Sequence, residues 1–310
     1  MKFSKKILAA LALLTLPTVS VAQTAPPAQA QAQAQPQPAR PDADPALWVV
    51  RDADTTIYLF GTFHLLDGRQ DWFNDEVRTA FDASSELVME VILPENQAEM
   101  QPLLMRYAVD PQGRTVSSRL TAQENAALRA AMGPMADALD QARFEPWFFM
   151  LTLTNLAATQ MGLSAEHGPE TVLRRAATER RMPIGALETI EGQLQVFDSM
   201  SEQSQMKGLR ETIGEPERLR ATLQPMLAAW STGNIDQLAA IMTDQTREDP
   251  EMHAALFTRR NANWAAWIRE RMARPGTVFL AVGAGHLGGP GSVQDQLRAM
   301  NIQSARVPAQ

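Results

Sequence analysis

Two Gly-x-x-His turns mark this sequence, because each follows a run of residues typical of a buried strand. Near the start, TIYLF leads into GTFH, which ends at His64; near the end, TVFLAV leads into GAGH, which ends at His286. Glycine allows a sharp turn and a close approach of the backbone to a ligand. In α/β folds, ligands gather at the carboxyl ends of the strands. We therefore predict that His64 and His286 lie over the same edge of one sheet.

The third candidate for this site is an acid. Glu90 lies within the apolar run ELVMEVIL (86–93), where an unpaired buried carboxylate would cost several kcal/mol. One interpretation is that Glu90 pairs with one of the many arginines. The other is that Glu90 ends its strand beside His64 and His286. Two imidazoles and a carboxylate would then bind a divalent transition-metal ion and leave positions open for water and substrate.

The chemistry that such a site predicts is hydrolysis. A bound ion lowers the pKa of its water to about 7 and polarises a carbonyl oxygen. Glu90 would be a metal ligand or the general base, and the sequence does not separate these roles. Arg260 is a candidate to stabilise an oxyanion, with a surface arginine beside Arg259 as the alternative. Glu188 is either an acid in the first turn of a helix or a residue of the candidate site.

The remaining two histidines are assigned to structure or to solvent. His167 lies in a Gly-Pro loop, and His253 lies in a helical stretch. Neither one follows a strand and a Gly-x-x spacer, so we expect neither to bind metal.

The elements that must position these residues are short strands at both ends of the chain and helices between them. The predicted strands are 47–51, 56–61, 86–93, 183–187, 277–282 and 303–307, with helices at 71–83 and 292–300. The first two strands form a hairpin. Ala-, Leu- and Met-rich helical patterns fill most of the region between. This order predicts an α/β fold, in which N- and C-terminal strands form a central β-sheet with a helical insertion at about 95–272.

The N-terminus predicts export. Lys2, Lys5 and Lys6 precede an apolar run closed by Pro17, and Ser20-Val21-Ala22 offers a cleavage site, so residues 1–22 read as a signal peptide. The apolar run is shorter than the roughly 20 residues that span a bilayer. Residues 23–45 are mostly Ala, Gln and Pro and predict a disordered linker. The folded domain should cover 46–310, in the periplasm or outside the cell, with no stable membrane insertion after cleavage.

Composition excludes several classes of function. Removing residues 1–22 takes away three lysines and no acid, which changes the formal charge from −7 to −10. Such an acidic chain lacks the basic stripe that nucleic-acid binding needs. The absence of cysteine excludes disulfides, Cys-ligated zinc and a thiol nucleophile.

The sequence resembles the TraB/GumN family, which includes the Tiki metalloproteases and the plasmid pheromone-shutdown TraB proteins. The resemblance extends from Leu47 to Val307. Its motifs are LFGTFHLLDG (59–68), LVMEV around Glu90, IGALETIEGQL (184–194), AAWSTGN (228–234), RRNANWAAWI (259–268) and FLAVGAGHLGGPGSV (279–293).

This resemblance implies a fold of the Tiki/ChaN/EreA-like superfamily and a metal-dependent hydrolase site. By this likeness, His64, His286 and Glu90 are the metal site, and Arg260 is the arginine of the RN-x-x-W stretch. The cofactor implied is a divalent ion such as Mn, Co or Zn. By analogy with the Tiki proteins, the substrate is a peptide or protein.

Two other functions stay open at the sequence level. The wider superfamily includes haem-binding proteins, and two exposed imidazoles would grip a haem; a purified haem carrier would then show a Soret band. The third hypothesis is a non-catalytic accessory factor in extracellular polysaccharide or signalling pathways. Chelator-sensitive peptide cleavage separates the hydrolase from this accessory factor.

Overall fold

The computed structural model describes residues 40–94, 96–213, 216–246 and 249–309. The predicted signal peptide and residues 23–39 of the predicted linker lie outside these ranges. Contacts with the domain begin before Ala46, because Ala43 is buried and its N–H donates to the Asp71 carbonyl. Within the described ranges, no helix has the length and apolarity needed to cross a membrane.

Six strands form one mixed sheet. They are β1 (Leu47–Arg51), β2 (Thr55–Thr62), β3 (Glu86–Met89), β4 (Ile184–Ala186), β5 (Gly276–Gly283) and β6 (Ala305–Arg306). The spatial order is β4-β3-β5-β2-β1-β6. β4, β3, β5 and β2 run parallel, whereas β1 is antiparallel to both β2 and β6. The hairpin and the α/β class predicted from the sequence are therefore confirmed.

The central strands of the sheet are buried on both faces, as is usual for parallel strands. Side chains alternate along β5, so that Phe279 and Ala281 join one core while Val278 and Leu280 join the other. A third core lies among the helices, around the fully buried Trp147. Two of the three cores thus hold the sheet rigidly, and the sheet edge provides a fixed frame for side chains.

Helices fill the region between the strands. In chain order they are α1 (Asp75–Ala83), α2 (Gln101–Tyr107), α3 (Ala122–Met132), α4 (Pro134–Gln141), α5 (Pro146–Gln160), α6 (Pro169–Glu179), α7 (Ile190–Asp198), α8 (Glu202–Ile213), α9 (Pro216–Ser231), α10 (Ile235–Thr246), α11 (Pro250–His253), α12 (Arg259–Arg271) and α13 (Val293–Ala299). A π-helical turn, Ala254–Thr258, joins α11 to α12. The insertion is interrupted by β4, which returns the chain to the sheet.

One strand is shorter than its apolar pattern predicts. The run 86–93 is apolar almost throughout, yet β3 ends at Met89. Residues 91–93 leave the sheet and line a cavity instead. None of these three residues is buried and Ile92 is exposed, so the apolar pattern alone predicts too long a strand.

A buried carboxyl group in the helical core predicts a pH-dependent stability. Glu145 precedes α5, is buried, and accepts a 3.2 Å hydrogen bond from Gln205. Burial raises the pKa of Glu145 to about 7. The nearby acids Asp198 and Asp110 also raise this pKa, whereas the hydrogen bond from Gln205 lowers it. Because the folded pKa exceeds the unfolded one, this carboxyl favours folding at acidic pH, and its contribution is lost as pH rises through about 7.

We expect Glu145→Gln to increase the free energy of unfolding relative to the wild type by about 1–3 kcal/mol more at pH 8 than at pH 4.5. Urea unfolding at the two pH values measures this difference. Glu166→Gln, at an exposed carboxyl, controls for the loss of one negative charge. An equal effect of Glu145→Gln at both pH values would contradict the prediction.

Candidate functional site

The four parallel strands deliver the candidate residues to one edge of the sheet. His64 follows β2, Glu90 follows β3, Glu188 follows β4 and His286 follows β5, each within three residues of the strand end. Because parallel strands end on the same side, their following residues converge. The prediction that two Gly-x-x-His turns and Glu90 meet at one sheet edge agrees with this arrangement.

The two turns touch each other. A methyl group added to Gly61 would lie 3.0 Å from the Ala284 side chain, so that the neighbouring turn would have to shift by a few tenths of an ångström. The Gly61 carbonyl also accepts a 2.8 Å hydrogen bond from the Trp230 indole of α9. Glycine at the start of the first turn therefore permits the close packing that sets the two histidines side by side.

His64 is held by a carboxylate from α6. Its Nδ1 lies 2.5 Å from Glu170 Oε1. Burial alone would lower the pKa of His64, but Glu170, with a smaller contribution from Glu90, raises it to about 9. In turn, His64 lowers the pKa of the Glu170 carboxyl against the effect of its burial. This contact fixes the imidazole ring and leaves Nε2 to face the site.

Glu90 is buried and has several donors. Its Oε1 accepts hydrogen bonds from Arg260 and, at 2.8 Å, from Gln193 Nε2. Its Oε2 accepts the Gly283 backbone N–H at 3.2 Å. Burial opposes ionisation, but Arg260 and the two nearby histidines lower the pKa of Glu90 to about 2. Glu90 is therefore a carboxylate at neutral pH.

Arg260 is buried in α12, not on the surface. Its Nε and Nη2 donate to the two carboxylate oxygens of Glu188 at 2.8 and 2.9 Å, and Nη2 also donates to Glu90. Its Nη1 faces the Leu256 carbonyl at 3.2 Å and His286 Nε2 at 3.4 Å. All five N–H groups thus have acceptors, so stabilising an oxyanion would require one of these contacts to break. Both alternatives for Glu90 hold at once: it pairs with an arginine and it lies beside the histidines.

Glu188 lies between β4 and α7 and belongs to this network. Besides Arg260, it accepts a 2.9 Å hydrogen bond from the indole of Trp264. The Arg260 guanidinium lies 4.8 Å from the centre of a Trp264 ring. The indole therefore supports both partners of the Arg260–Glu188 pair.

His286 is buried and its ring is oriented by Asn261. Nδ1 lies 2.6 Å from Asn261 Oδ1, and Asn261 Nδ2 donates to the Gly291 carbonyl at 2.9 Å. Because the Asn261 oxygen can only accept, Nδ1 of His286 carries the proton and Nε2 keeps its lone pair. Burial and the Arg260 charge lower the pKa of His286 to about 3. The imidazole is therefore neutral, the state in which it ligates a metal.

The donor atoms converge over Gly283. A methyl group placed on Gly283 would lie 3.5 Å from both His64 Nε2 and Glu90 Oε2, and 3.4 Å from His286 Cδ2. This small space, bounded by the three side chains, is called the Gly283 cradle below. Two donors face it as they stand, while the third, His286 Nε2, faces Arg260.

The donor set suits a transition-metal ion, since two imidazoles and a carboxylate are common ligands of such ions. In the described part of the chain, no three His, Asp or Glu side chains are already spaced as a complete metal site. Metal binding would therefore require His286 to turn from Arg260 towards the Gly283 cradle. The chemistry of the residues fits the ion, whereas their spacing in this structure does not.

Sequence reasoning missed two members of the site. Glu170 reads as an ordinary first-turn acid after Gly168-Pro169, and Gln193 reads as a polar helix residue. The available signals were the position of Glu170 in the Gly-Pro-Glu sequence and the position of Gln193 in the IGALETIEGQL motif. His167 is exposed and His253 is partly buried against Phe257, and the structure brings neither into the Gly283 cradle.

Comparison with known proteins gives a family and no activity. The sequence model of the TraB/PrgY/gumN family matches residues 46–306. A protein of Treponema pallidum (strain Nichols) is 24% identical over 271 residues, which cover 82% of this chain and 80% of that protein. YbaP of Escherichia coli (strain K12) is 28% identical over 155 residues, covering 49% of this chain and 56% of YbaP. Both carry the description "uncharacterized protein".

No solved structure matches this chain significantly. The Tiki/ChaN/EreA-like superfamily therefore stays a prediction, while the mixed α/β sheet is observed directly.

Proposed function

The chain belongs to the TraB/PrgY/gumN family, and we propose that it is a secreted or periplasmic metal-dependent hydrolase that acts on peptides. The observation that carries this proposal is the convergence of His64 Nε2 and Glu90 Oε2 on the Gly283 cradle, with the His286 ring beside them. In this proposal the three side chains hold one divalent ion, such as Mn, Co or Zn. The export signal at residues 1–22 supports the location, and the likeness to Tiki proteins supports the substrate class.

The surrounding residues prepare the two histidines for this role. Glu170 accepts from Nδ1 of His64, and Asn261 accepts from Nδ1 of His286. Metal-binding histidines commonly donate their other ring N–H to an oxygen in this way, which fixes the ring and the tautomer. His64 must lose a proton from Nε2 to become a ligand, whereas Nε2 of His286 has its lone pair but must leave its contact with Arg260.

Glu90 suits a ligand better than a general base. A base works best when its pKa lies near the working pH, and the pKa of Glu90 is lowered to about 2 by Arg260 and the histidines, despite burial. Arg260 then acts as a positioning residue, since it holds Glu90 and Glu188 in place. When bound, a divalent ion would supply an activated water and polarise the scissile carbonyl.

The direct test is metal content together with chelator-sensitive cleavage. The purified protein should bind about one divalent ion per chain and should cleave peptides in a way that EDTA stops and added Mn²⁺ or Zn²⁺ restores. Full activity after complete metal removal would contradict the proposal. Metal binding without cleavage of any peptide library would favour the non-catalytic accessory role.

The haem alternative has little support in the described structure. The cavity next to His64 measures about 100 Å³, whereas pockets for larger organic ligands typically measure about 300–1,000 Å³. If the purified protein is colourless and shows no Soret band, this result would support the hydrolase over the haem carrier.

The Gly283 cradle predicts a variant that folds and yet loses metal. Gly283 has φ −51° and ψ 130°, which any residue adopts. A methyl group there makes ordinary contacts at 3.4–3.5 Å, so we expect Gly283→Ala to change the free energy of unfolding by less than about 1 kcal/mol. Because the methyl occupies the space between the donors, metal affinity should fall at least about tenfold, which is about 1.4 kcal/mol. Calorimetric titration with Zn²⁺ and urea unfolding measure the two quantities.

Gly185→Ala is the matched control for this variant. Gly185 lies in β4 of the same sheet, and an added methyl would meet its nearest atoms at 3.6 Å, away from the histidines. It should bind metal like the wild type. Unchanged metal affinity in Gly283→Ala would mean that the metal does not bind at the Gly283 cradle.

A further inference from the structure

A cavity of about 100 Å³ opens beside the candidate site and contains an arginine that the proposed chemistry does not use. Its lining includes His64, Glu90, Glu170 and Arg174, with Val91 and Ile92 forming an apolar part of the wall. A single water needs roughly 10–15 Å³, so the cavity has room for a group of a substrate.

Arg174 is a half-buried cation without a carboxylate partner among the residues that the structure describes. Its Nη1 donates to the Leu93 carbonyl at 2.9 Å. In the ranges that the structure describes, Arg174 forms no ion pair. The nearest acid on its own helix face, Glu170, is bound to His64 instead. Nε and Nη2 of Arg174 are therefore available to a ligand, while the Leu93 carbonyl holds the guanidinium in place.

This arrangement fits an anionic group with two oxygens. The planar guanidinium presents paired N–H donors that match a carboxylate, and such charge-assisted pairs are stronger than neutral hydrogen bonds. Because part of the cavity wall is apolar, the group that carries the anion should also have an apolar side chain. In a peptide, the carboxylate at the C-terminus meets both requirements.

The spacing indicates where that carboxylate lies relative to the reacting bond. Arg174 is four residues after Glu170 on α6, so the two share one helix face about one turn, or roughly 5.4 Å, apart. Glu170 contacts His64 directly. One extended residue spans about 3.3–3.6 Å. The anion would thus lie within a few residues of a bond presented to His64.

Resting on the proposed function, we propose that Arg174 binds the carboxylate of a peptide substrate, so that the protein prefers peptides cleaved near a free C-terminus with an apolar last residue. The apolar wall at Val91 and Ile92 contacts the side chain of the last residue of the peptide. Arg174 acts in substrate binding and does not touch the reacting bond.

The test measures binding separately from cleavage. Acetyl-Ala-Ala-Leu with a free carboxylate, its C-terminal amide, and acetyl-Ala-Ala-Glu-amide are titrated into the EDTA-treated protein by calorimetry, and mass spectrometry records any cleavage with Mn²⁺ present. The wild type should bind the free acid at least about tenfold more tightly than the leucine amide. Tighter binding of the glutamate amide than of the free acid would overturn the C-terminal assignment.

Arg174→Ala should reduce the ratio of acid to amide affinity to about one, and Arg174→Lys should keep part of it, because the charge remains but the paired donors are lost. Arg175→Ala, at the exposed neighbouring residue, should keep the wild-type ratio. If thermal melting shows that Arg174→Ala fails to fold, the ratio of acid to amide affinity in Arg174→Lys is compared with that of the wild type instead. A wild-type ratio in the Arg174 variants, or no preference in the wild type, would overturn the inference.

The two proposals fail in different ways in this experiment. Preferential binding of the acid without any cleavage would reject the hydrolase and leave the carboxylate site standing. Cleavage without a preference for the acid would reject the carboxylate site and leave the hydrolase standing.

Discussion

Replacing His64 or His286 with alanine is expected to abolish stoichiometric metal binding and peptide hydrolysis. In the proposed site, each change would remove one of three protein ligands at the Gly283 cradle, and two ligands would hold a labile ion too weakly. We expect activity to fall at least about a thousandfold, comparable to the loss of a principal catalytic group. Metal analysis of each purified variant and a cleavage assay in excess Mn²⁺ measure the two effects.

The other two histidines provide matched controls for this prediction. His167 is exposed, and His253 packs against Phe257, which lies between it and His286. His167→Ala and His253→Ala should keep metal content and activity near the wild type. If either control lost the metal while His64→Ala kept it, the pairing of the two Gly-x-x-His turns as one site would be wrong.

Glu90→Gln extends the same experiment to the role of the carboxylate. We expect it to lose both activity and metal, because Oε2 is the donor atom that faces the cradle. The amide keeps the size of the side chain and its contact with Gln193, so folding should survive. Metal retained at wild-type affinity, with activity lost, would identify Glu90 as a general base instead.

The largest effect on stability is expected from Arg260→Ala, at about 3–5 kcal/mol of unfolding free energy. Arg260 is buried, and its removal leaves the carboxylates of Glu90 and Glu188 without their cation. It also removes the guanidinium that lies against Trp264. Urea unfolding at pH 7 measures the change. Arg259→Ala, at the exposed neighbour, should change stability by less than about 0.5 kcal/mol.

The pH dependence of this loss follows from Glu90. Burial would raise the pKa of Glu90, but Arg260 and the two histidines lower it from its ordinary value of 4.5 to about 2 in the folded protein. A lowered carboxyl pKa stabilises the fold above pH 4.5, and that contribution is lost as pH falls through about 2. The stability difference between wild type and Arg260→Ala should therefore shrink as the pH falls below about 4.5. A difference that stays constant with pH would mean that the loss comes from packing alone.

The sequence by itself predicted the two turns on which the histidines of the site lie. Strand periodicity and the glycine turns are local properties, so they predicted that His64 and His286 would lie over the same edge of one sheet and that Glu90 would lie near them. The order of strands and helices predicted the α/β class in the same way. The family followed from motifs spread along residues 47–307, and the match to residues 46–306 confirms it.

Only the tertiary structure decided which side chains meet. Glu170, Gln193 and Arg260 reach the site from three different helices, each far from its partner along the chain. Helix periodicity gives the buried face of each helix, but the sheet edge that this face meets depends on packing between distant segments. For the same reason β3 ends at Met89: its neighbours in the sheet, and not its own apolar residues, set where pairing stops.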